Sequence, residues 1–249
     1  MILIDLGNTR LKWQARSSKG EIQARGAGCH EHGMRLTELA AELGREVQDR
    51  GPVSVASVAG DVLEGMLTRV LERLGFAPAG IMFVKAESAR AGVRSGYRDP
   101  ARLGADRWAA LIGTWAKHHR ASLILSLGTA ITLDVLDDEG VHRGGLIAPG
   151  RGVLARALAW DTAQLPEVMI PGVRFLANDT ESALANGSRF MIDGFVAASD
   201  ACATRLLATD PIRIVTGGDA EFLDPDLLQR WQMEPDLVFD GLARLAEAS

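Results

Sequence analysis

The residues best suited to chemistry lie together in one stretch, GYRDPARLGADRW, from Gly96 to Trp108. It holds the only tyrosine of the chain, Tyr97, and it ends with a carboxylate next to a guanidinium, Asp106 and Arg107. Glycine and proline at this density predict a loop, and the apolar run from Trp108 predicts a helix that anchors it. The three polar side chains could form a reaction centre. An aspartate is also favoured at any helix start by the dipole, so the stretch alone leaves both interpretations open.

Two short turns have the composition of phosphate-binding loops. DLGNT at 5–9 follows the apolar run that starts at Ile2, and SLGTA at 126–130 follows the run that starts at Leu123. Glycine in such a turn exposes backbone N–H groups, and Thr and Asn side chains add donors. An acidic residue beside the turn, here Asp5, can hold Mg²⁺ directly or through water. Either turn alone would also suit an ordinary β-hairpin.

The recurrence of these turns indicates an internal duplication, because Gly7 and Gly128 lie about half the chain apart. A third glycine turn, TGGDA at 216–220, follows a predicted strand over 212–215. Two hairpin turns for the phosphates and a third turn for the adenosine resemble the acetate-kinase/sugar-kinase/Hsp70/actin superfamily. The expected fold is therefore α/β, with two similar halves of the ribonuclease-H-like or actin-like ATPase fold at 1–118 and 119–249. Mixed sheets flanked by helices and a nucleotide cleft between the halves are expected.

The segments between these motifs have recognisable periodicities. Amphipathic helices are predicted over 34–47 and 62–74, further helices over 151–159, 180–208 and 237–247, and strands over 52–58 and 81–84. The segment GGLIAPG at 144–150 is predicted to be a rigid glycine-rich loop. His30 and His32 form an HxH pair with no third ligand at zinc-site spacing, so we expect them in a surface loop.

Composition and charge exclude several classes of protein. The chain is 47% apolar and 24% charged, which is ordinary for a globular protein, and its net charge of −5 argues against a nucleic-acid or membrane partner. Cys29 and Cys202 form no CxxC pattern and fit a reducing compartment. The N-terminus lacks a signal-peptide pattern, and no apolar run reaches the roughly 18 residues of a membrane span. We expect a soluble, cytoplasmic protein.

Five motifs in one order resemble type III pantothenate kinase: DLGNT at 5–9, GYRDPARLGADRW at 96–108, GTAITLD at 128–134, GGLIAPG at 144–150 and TGGDA at 216–220. The stretch at 96–108 is the most specific, because other superfamily members lack it. The resemblance implies ATP-dependent phosphorylation of pantothenate to 4'-phosphopantothenate, the first step of coenzyme A biosynthesis. It also implies a homodimer that uses Mg²⁺ and a monovalent cation, K⁺ or NH₄⁺.

The resemblance assigns roles to individual residues. It implies that Asp106 is the general base, which would take the proton of the attacking alcohol and accelerate transfer roughly 10²–10⁴-fold. The implied ATP-binding residues are Asp5, Leu6, Gly7, Asn8, Thr9, Arg10, Leu11, Lys12, Thr129, Gly217 and Gly218. The implied substrate contacts are Tyr97, Gly104, Ala105, Asp106, Arg107 and Thr180. Asp5 is also the implied magnesium position, and Thr180 would equally suit the N-cap of a helix.

One position departs from the family pattern. Ser126 stands where the family usually has an acidic potassium ligand. A hydroxyl can contribute a lone pair but no charge, so monovalent-cation activation is expected to be weak or absent. Two other functions stay open. A non-catalytic ATP-binding regulator of the same fold would be favoured by loss of Asp5 or Asp106, both of which are present. A kinase for another small-molecule alcohol is opposed by the Tyr97–Arg107 signature.

Overall fold

The computed structural model describes residues 1–47, 50–162, 165–169 and 175–247. The chain divides into two compact units. The first consists of Met1–His118 together with the C-terminal segment that begins at Asp236, and the second is His119–Pro235. Within the described ranges, no helix combines the length and apolar character needed to cross a bilayer.

The first unit is built on a five-stranded mixed sheet. The strands of this sheet are β1 (Ile2–Leu6), β2 (Arg10–Arg16), β3 (Ile22–Cys29), β4 (Val53–Ser57) and β5 (Ile81–Val84), and the unit also contains β6 (Ala89–Arg90) and β7 (Val93–Arg94). Its helices are α1 (Leu36–Glu46), α2 (Asp61–Arg73), α3 (Ala105–His118) and, from the C-terminal segment, α7 (Leu237–Glu247). The strand order is β3-β2-β1-β4-β5, with β1 antiparallel to β2 and parallel to β4. Strands β6 and β7 form a separate hairpin.

The second unit repeats this arrangement. Its strands are β8 (Ser122–Leu127), β9 (Ala130–Leu136), β10 (His142–Pro149), β11 (Ile212–Thr216) and β12 (Gln232–Met233), and its helices are α4 (Arg151–Asp161), α5 (Thr180–Leu207) and α6 (Pro225–Leu228). The order is β10-β9-β8-β11-β12, with β8 antiparallel to β9 and parallel to β11. The duplication indicated by the two glycine turns therefore extends to a whole sheet.

The C-terminal helix α7 belongs to the first unit, whereas the sequence placed it in a half at 119–249. It packs on α3 with the two backbones in contact. A Cβ on Gly241 would overlap the carbonyl oxygen of Ala109, and one on Gly113 would lie 2.5 Å from the carbonyl oxygen of Leu237. Glycine at these positions is what lets the helices approach so closely. An ion pair also joins β2 to α7, with the Arg16 Nη2 2.8 Å from the Asp240 Oδ1.

The helix α3 is anchored as its sequence predicts, because the apolar run from Trp108 to Ile112 is buried. The predicted helices and strands otherwise lie close to the observed ones. The secondary structure predicted for the segment 144–150 is wrong, because this segment is not a loop. Most of it belongs to β10, which pairs with β9 from Gly145 opposite Asp134 to Pro149 opposite Ala130. Glycine has a low strand propensity, so the sequence did not predict this strand. Its backbone hydrogen bonds to β9 stabilise it instead.

Candidate active site

The first glycine turn joins β1 to β2. Leu6 pairs with Leu11 across the two strands, and the Gly7 N–H donates to the Arg10 carbonyl at 2.9 Å, which closes the turn. Asp5 precedes the turn and lies in register with Lys12, whose Nζ is 3.6 Å from the Asp5 Oδ2. The turn residues from Asn8 to Arg10 are exposed. The turn thus presents polar groups at the end of a buried strand.

His30 is buried and hydrogen-bonded to this turn, which contradicts its expected place in a surface loop. The residue follows β3 and is fully buried. Its backbone N–H donates to the Thr9 carbonyl at 3.1 Å, and its ring Nε2 lies 2.9 Å from the Gly7 carbonyl oxygen. The sequence did carry a signal for this: His30 occupies the place after the third strand that Gly150 occupies after β10.

The carboxylate of Asp106 lies in the first turn of α3. Its Oδ1 accepts the N–H of Arg107 at 2.8 Å. A Cβ on Gly104 would be only 2.7 Å from this same oxygen. Gly104 therefore leaves the space that the carboxylate occupies, which gives a physical reason for glycine in the signature.

Arg107, which follows Asp106, is paired with the half-buried Tyr97. Arg107 is 7% exposed, and its guanidinium donates from Nη1 to the Tyr97 hydroxyl at 2.8 Å. The guanidinium carbon lies 5.6 Å from the centre of the Tyr97 ring, within cation–π range. The structure therefore brings the predicted substrate contacts at 97 and 104–107 together in the first unit.

Asp5 and Asp106 belong to one electrostatic centre. Burial raises the pKa of Asp5 to about 6, the Lys12 ammonium opposes that rise, and the Asp106 carboxylate adds to it. The Asp5 side chain is 16% exposed and so remains open to a ligand. Mg²⁺ is usually held by one or two carboxylates plus water and substrate phosphates. Asp5 fits that role, and the described residues contain no cluster of three or more His, Cys, Asp or Glu that would suggest another metal.

The second glycine turn joins β8 to β9 in the second unit. The Gly128 N–H donates to the Ala130 carbonyl at 3.2 Å, and the Gly150 N–H donates to the Thr129 carbonyl at 3.0 Å. The third turn packs directly against it. Gly217 has a φ of +100°, and a Cβ there would overlap the Leu127 backbone. Thr129 and Gly217 are thus gathered near the end of β8, and Gly218 beside them is exposed.

A shallow depression lies where these two turns meet, and its lining includes Gly128, Arg151, Asp219 and Phe222. Arg151 begins α4, and its guanidinium carbon lies 4.5 Å from the centre of the Phe222 ring. The two predicted nucleotide turns of the second unit therefore share one surface.

Ser126 lies between two other hydroxyl residues. It pairs with Thr132 on β9 and with Thr216 on β11. The equivalent point of the first unit holds Asp5 opposite Lys12. The predicted monovalent-cation position is therefore lined by neutral oxygen-bearing side chains.

Thr180 is the first residue of α5 and is exposed. It is not the N-cap that the sequence also allowed. Asp179 is the N-cap, since its carboxylate accepts the Ser182 N–H at 2.8 Å. Hydrogen bonding from Ser182 lowers the pKa of Asp179. The hydroxyl of Thr180 is not needed to cap the helix.

The duplicated sheet, the glycine turns and the paired carboxylates together define a phosphotransferase of the actin-like ATPase fold. The fold is shared with component A of (R)-2-hydroxyglutaryl-CoA dehydratase from Acidaminococcus fermentans, at a TM-score of 0.55 and 13% identity over 100% of this chain and 96% of that one. This likeness concerns the fold alone and agrees with the predicted class.

The family is defined by sequence. The family model of type III pantothenate kinase matches residues 1–200. The type III pantothenate kinase of Halorhodospira halophila is 37% identical over 97% of this chain and 95% of its own length. That of Methylibium petroleiphilum is 36% identical over 99% and 98%. The chain belongs to the type III pantothenate kinase family.

Proposed function

We propose that this chain transfers the γ-phosphoryl group of ATP to the terminal hydroxyl of pantothenate, the first step of coenzyme A biosynthesis, with Asp106 as general base. The observation that carries this proposal is the Asp106 carboxylate at the start of α3, in the space left by Gly104 and beside the Arg107–Tyr97 pair. Membership of the type III pantothenate kinase family indicates that the substrate is pantothenate. The two units serve as the two halves of the ATPase fold.

The chemistry required of the protein is modest. An alcohol is a weak nucleophile at neutral pH, and Asp106 takes its proton as it attacks. Its position in the first turn of α3 and the hydrogen bond from the Arg107 N–H fix the carboxylate. Tyr97 holds the Arg107 guanidinium in place. That guanidinium pairs either with the carboxylate of pantothenate or with charge on the transferring group, since an arginine has five N–H donors.

The nucleotide is bound by the glycine turns. In the first unit the binding residues are those from Asp5 to Lys12, and in the second they are Thr129, Gly217 and Gly218. Mg²⁺, when bound by Asp5 with water and phosphate oxygens, would neutralise charge on the β- and γ-phosphates. Thr180 and Ala105 complete the proposed pantothenate contacts.

The decisive experiment is a coupled assay of ADP release, with the product identified by mass spectrometry. We expect ADP release that requires pantothenate and yields 4'-phosphopantothenate. ATP binding without pantothenate-dependent turnover would favour the non-catalytic regulator. Turnover with other small alcohols but not with pantothenate would favour the other kinase.

Monovalent cations are proposed to activate weakly or not at all. Ser126, Thr132 and Thr216 offer oxygen atoms but no charge at the position concerned. Replacing K⁺ with a large organic cation should change the rate little. A steep K⁺ requirement would contradict this proposal.

We propose that the enzyme acts in the cytoplasm.

We also propose that the chain forms a homodimer through an exposed apolar face of the second unit. Phe190 and Met191 on α5 are 65% and 61% exposed. Phe175 is 75% exposed, and its ring lies 5.5 Å from that of Phe190. Large exposed apolar patches commonly mark protein interfaces. Sedimentation of Phe190→Glu should show monomers, whereas Met34→Glu, at a similarly exposed methionine of the first unit, should not.

A further inference from the structure

We propose that His30 is a positioning residue for ATP, because it fixes the peptide plane that aims a backbone N–H of the first glycine turn at a phosphate. The inference rests on the proposed function in that the phosphate belongs to ATP. His30 contacts the turn rather than the nucleotide. Its imidazole is fully buried, although both ring nitrogens, Nδ1 and Nε2, are polar and need hydrogen-bond partners.

The hydrogen bonds around the ring assign its tautomer. The Gly33 N–H donates both to the His30 carbonyl at 2.8 Å and to the ring Nδ1 at 3.2 Å. Nδ1 is therefore an acceptor, so the proton of the neutral ring sits on Nε2. Nε2 then donates to the Gly7 carbonyl oxygen at 2.9 Å. Both ring nitrogens are used, and each has a backbone partner.

This bond constrains the direction of the next N–H. In a planar trans peptide the carbonyl and the following N–H point in opposite directions. The Gly7 carbonyl points at the buried ring, so the Asn8 N–H points away from it. Asn8 is exposed. A backbone N–H held outward in a turn after a strand is a donor for a phosphate oxygen.

A second bond from His30 fixes the other end of the turn. Its backbone N–H donates to the Thr9 carbonyl at 3.1 Å. The Thr9–Arg10 peptide and the Gly7–Asn8 peptide, which carries the outward N–H, are therefore both hydrogen-bonded to His30. Glycine before Asn8 would otherwise leave that peptide plane free to rotate, because glycine tolerates most backbone angles.

The second unit shows what happens at the same place without a side chain. Gly150 makes the equivalent backbone bond, to the Thr129 carbonyl at 3.0 Å. A Cβ on Gly150 would overlap the Gly128 carbonyl oxygen, so the two turns are packed backbone to backbone there. The first turn is wider, since four residues separate the paired Leu6 and Leu11 whereas three separate Leu127 and Ile131. The His30 ring fills the space that this wider turn opens.

Two substitutions separate positioning from packing. In His30→Gln the side-chain amide N–H reaches about as far as Nε2, whereas in His30→Asn it reaches only about as far as Nδ1. We expect both variants to unfold at a lower temperature, because both lose the ring. We expect only His30→Asn to bind MgADP about tenfold more weakly by calorimetry, since one hydrogen-bond donor to a charged group is lost from alignment. The KM for ATP should rise with it, and the KM for pantothenate should not.

The neighbouring exposed histidine supplies the control. His32→Asn should bind MgADP as the wild type does, because the His32 backbone has a φ of 56° that asparagine tolerates and its side chain is exposed. Wild-type affinity in His30→Asn, or an equal loss in His30→Gln and His30→Asn, would overturn the positioning role. Wild-type protein that binds MgADP but does not phosphorylate pantothenate would remove the proposed function alone. Wild-type protein that does not bind MgADP would remove both.

Discussion

The two units have the same strand order but different chemistry at the end of their first strand. In the first unit Asp5 precedes the glycine turn and lies opposite Lys12. In the second unit Ser126 precedes the turn and lies opposite Thr132 and Thr216. The same backbone position is charged in one unit and neutral in the other.

This difference is consistent with the proposed placement of the reaction in the first unit. Asp106 and Arg107 also lie there, so the ionisable groups of the proposed reaction belong to one unit. The second unit offers glycine turns, and the hydroxyls of Ser126, Thr132 and Thr216 add no negative charge at the position before its first glycine turn. The two units therefore have similar sheets, and the residues proposed to be catalytic lie in the first.

The largest expected effect follows from removing the base. Asp106→Asn should lower kcat by about 10²–10⁴-fold, because the alcohol proton has no acceptor, while MgATP affinity changes little. Steady-state rates and equilibrium binding measure the two quantities. Asp99→Asn, at an exposed residue of the same stretch, is the control and should retain activity. Substantial turnover in Asp106→Asn would move the base elsewhere.

The second prediction concerns α7, the C-terminal helix, which packs in the first unit rather than the second. Gly241→Ala should destabilise the protein by about 1–3 kcal/mol or more, because the added methyl overlaps the Ala109 carbonyl and forces α7 from α3. Urea unfolding measures this. Gly65→Ala lies in α2 with no atom within 4 Å of the new Cβ, so it should be neutral or stabilising. Equal stabilities in the two variants would argue against close packing of α7.

The third prediction perturbs the position of the carboxylate without removing it. Gly104→Ala places a methyl 2.7 Å from the Asp106 Oδ1. Displacement by a fraction of an ångström to 1 Å should lower kcat roughly 10–100-fold. The KM for ATP should be nearly unchanged, because the substitution leaves the three glycine turns that are proposed to bind the nucleotide unaltered. Unchanged kcat would mean that the Gly104 space does not set the carboxylate.

The fourth prediction tests the cost of charge in the first unit. The pKa of Asp5 is raised from 3.8 to about 6 in the folded protein. The folded state therefore holds this proton more tightly, and stability falls as pH rises from about 4 to above 6. In metal-free protein at pH 8, Asp5→Asn should add about 1–3 kcal/mol to the free energy of unfolding.

The gain should shrink towards pH 4, where the folded protein keeps Asp5 protonated. Urea unfolding at both pH values, with a chelator present, gives the comparison. Equal effects at pH 8 and pH 4 would contradict the raised pKa.

The sequence predicted the turns well because their chemistry is local. Glycine, asparagine and threonine at Gly7–Thr9, Gly128–Thr129 and Gly217 favour turns, and the strands beside them have clear apolar runs. The cluster at 97–107 was also predictable, since a helix start fixes Asp106 beside Arg107. The bond between Arg107 and Tyr97 was not, because it depends on how the loop folds back.

What the sequence missed depends on distant partners. His30 looked like a surface residue, yet its ring bonds Gly7, 23 positions away. The segment 144–150 looked like a loop because it is glycine-rich, yet most of it belongs to β10 and pairs with β9. The place of α7 depends on Gly113 and Gly241 meeting across the fold, which no local pattern reveals.

The most direct test of the charge difference compares Asp5→Asn with Ser126→Ala at the equivalent positions of the two units. Mn²⁺ takes octahedral oxygen sites as Mg²⁺ does, and its binding in the presence of ADP can be followed by electron paramagnetic resonance. We expect Asp5→Asn to weaken Mn²⁺ binding at least about tenfold, as loss of a charged ligand costs about 1.4 kcal/mol or more. Ser126→Ala should bind Mn²⁺ as the wild type does. Weaker binding in Ser126→Ala, or unchanged binding in Asp5→Asn, would contradict the account.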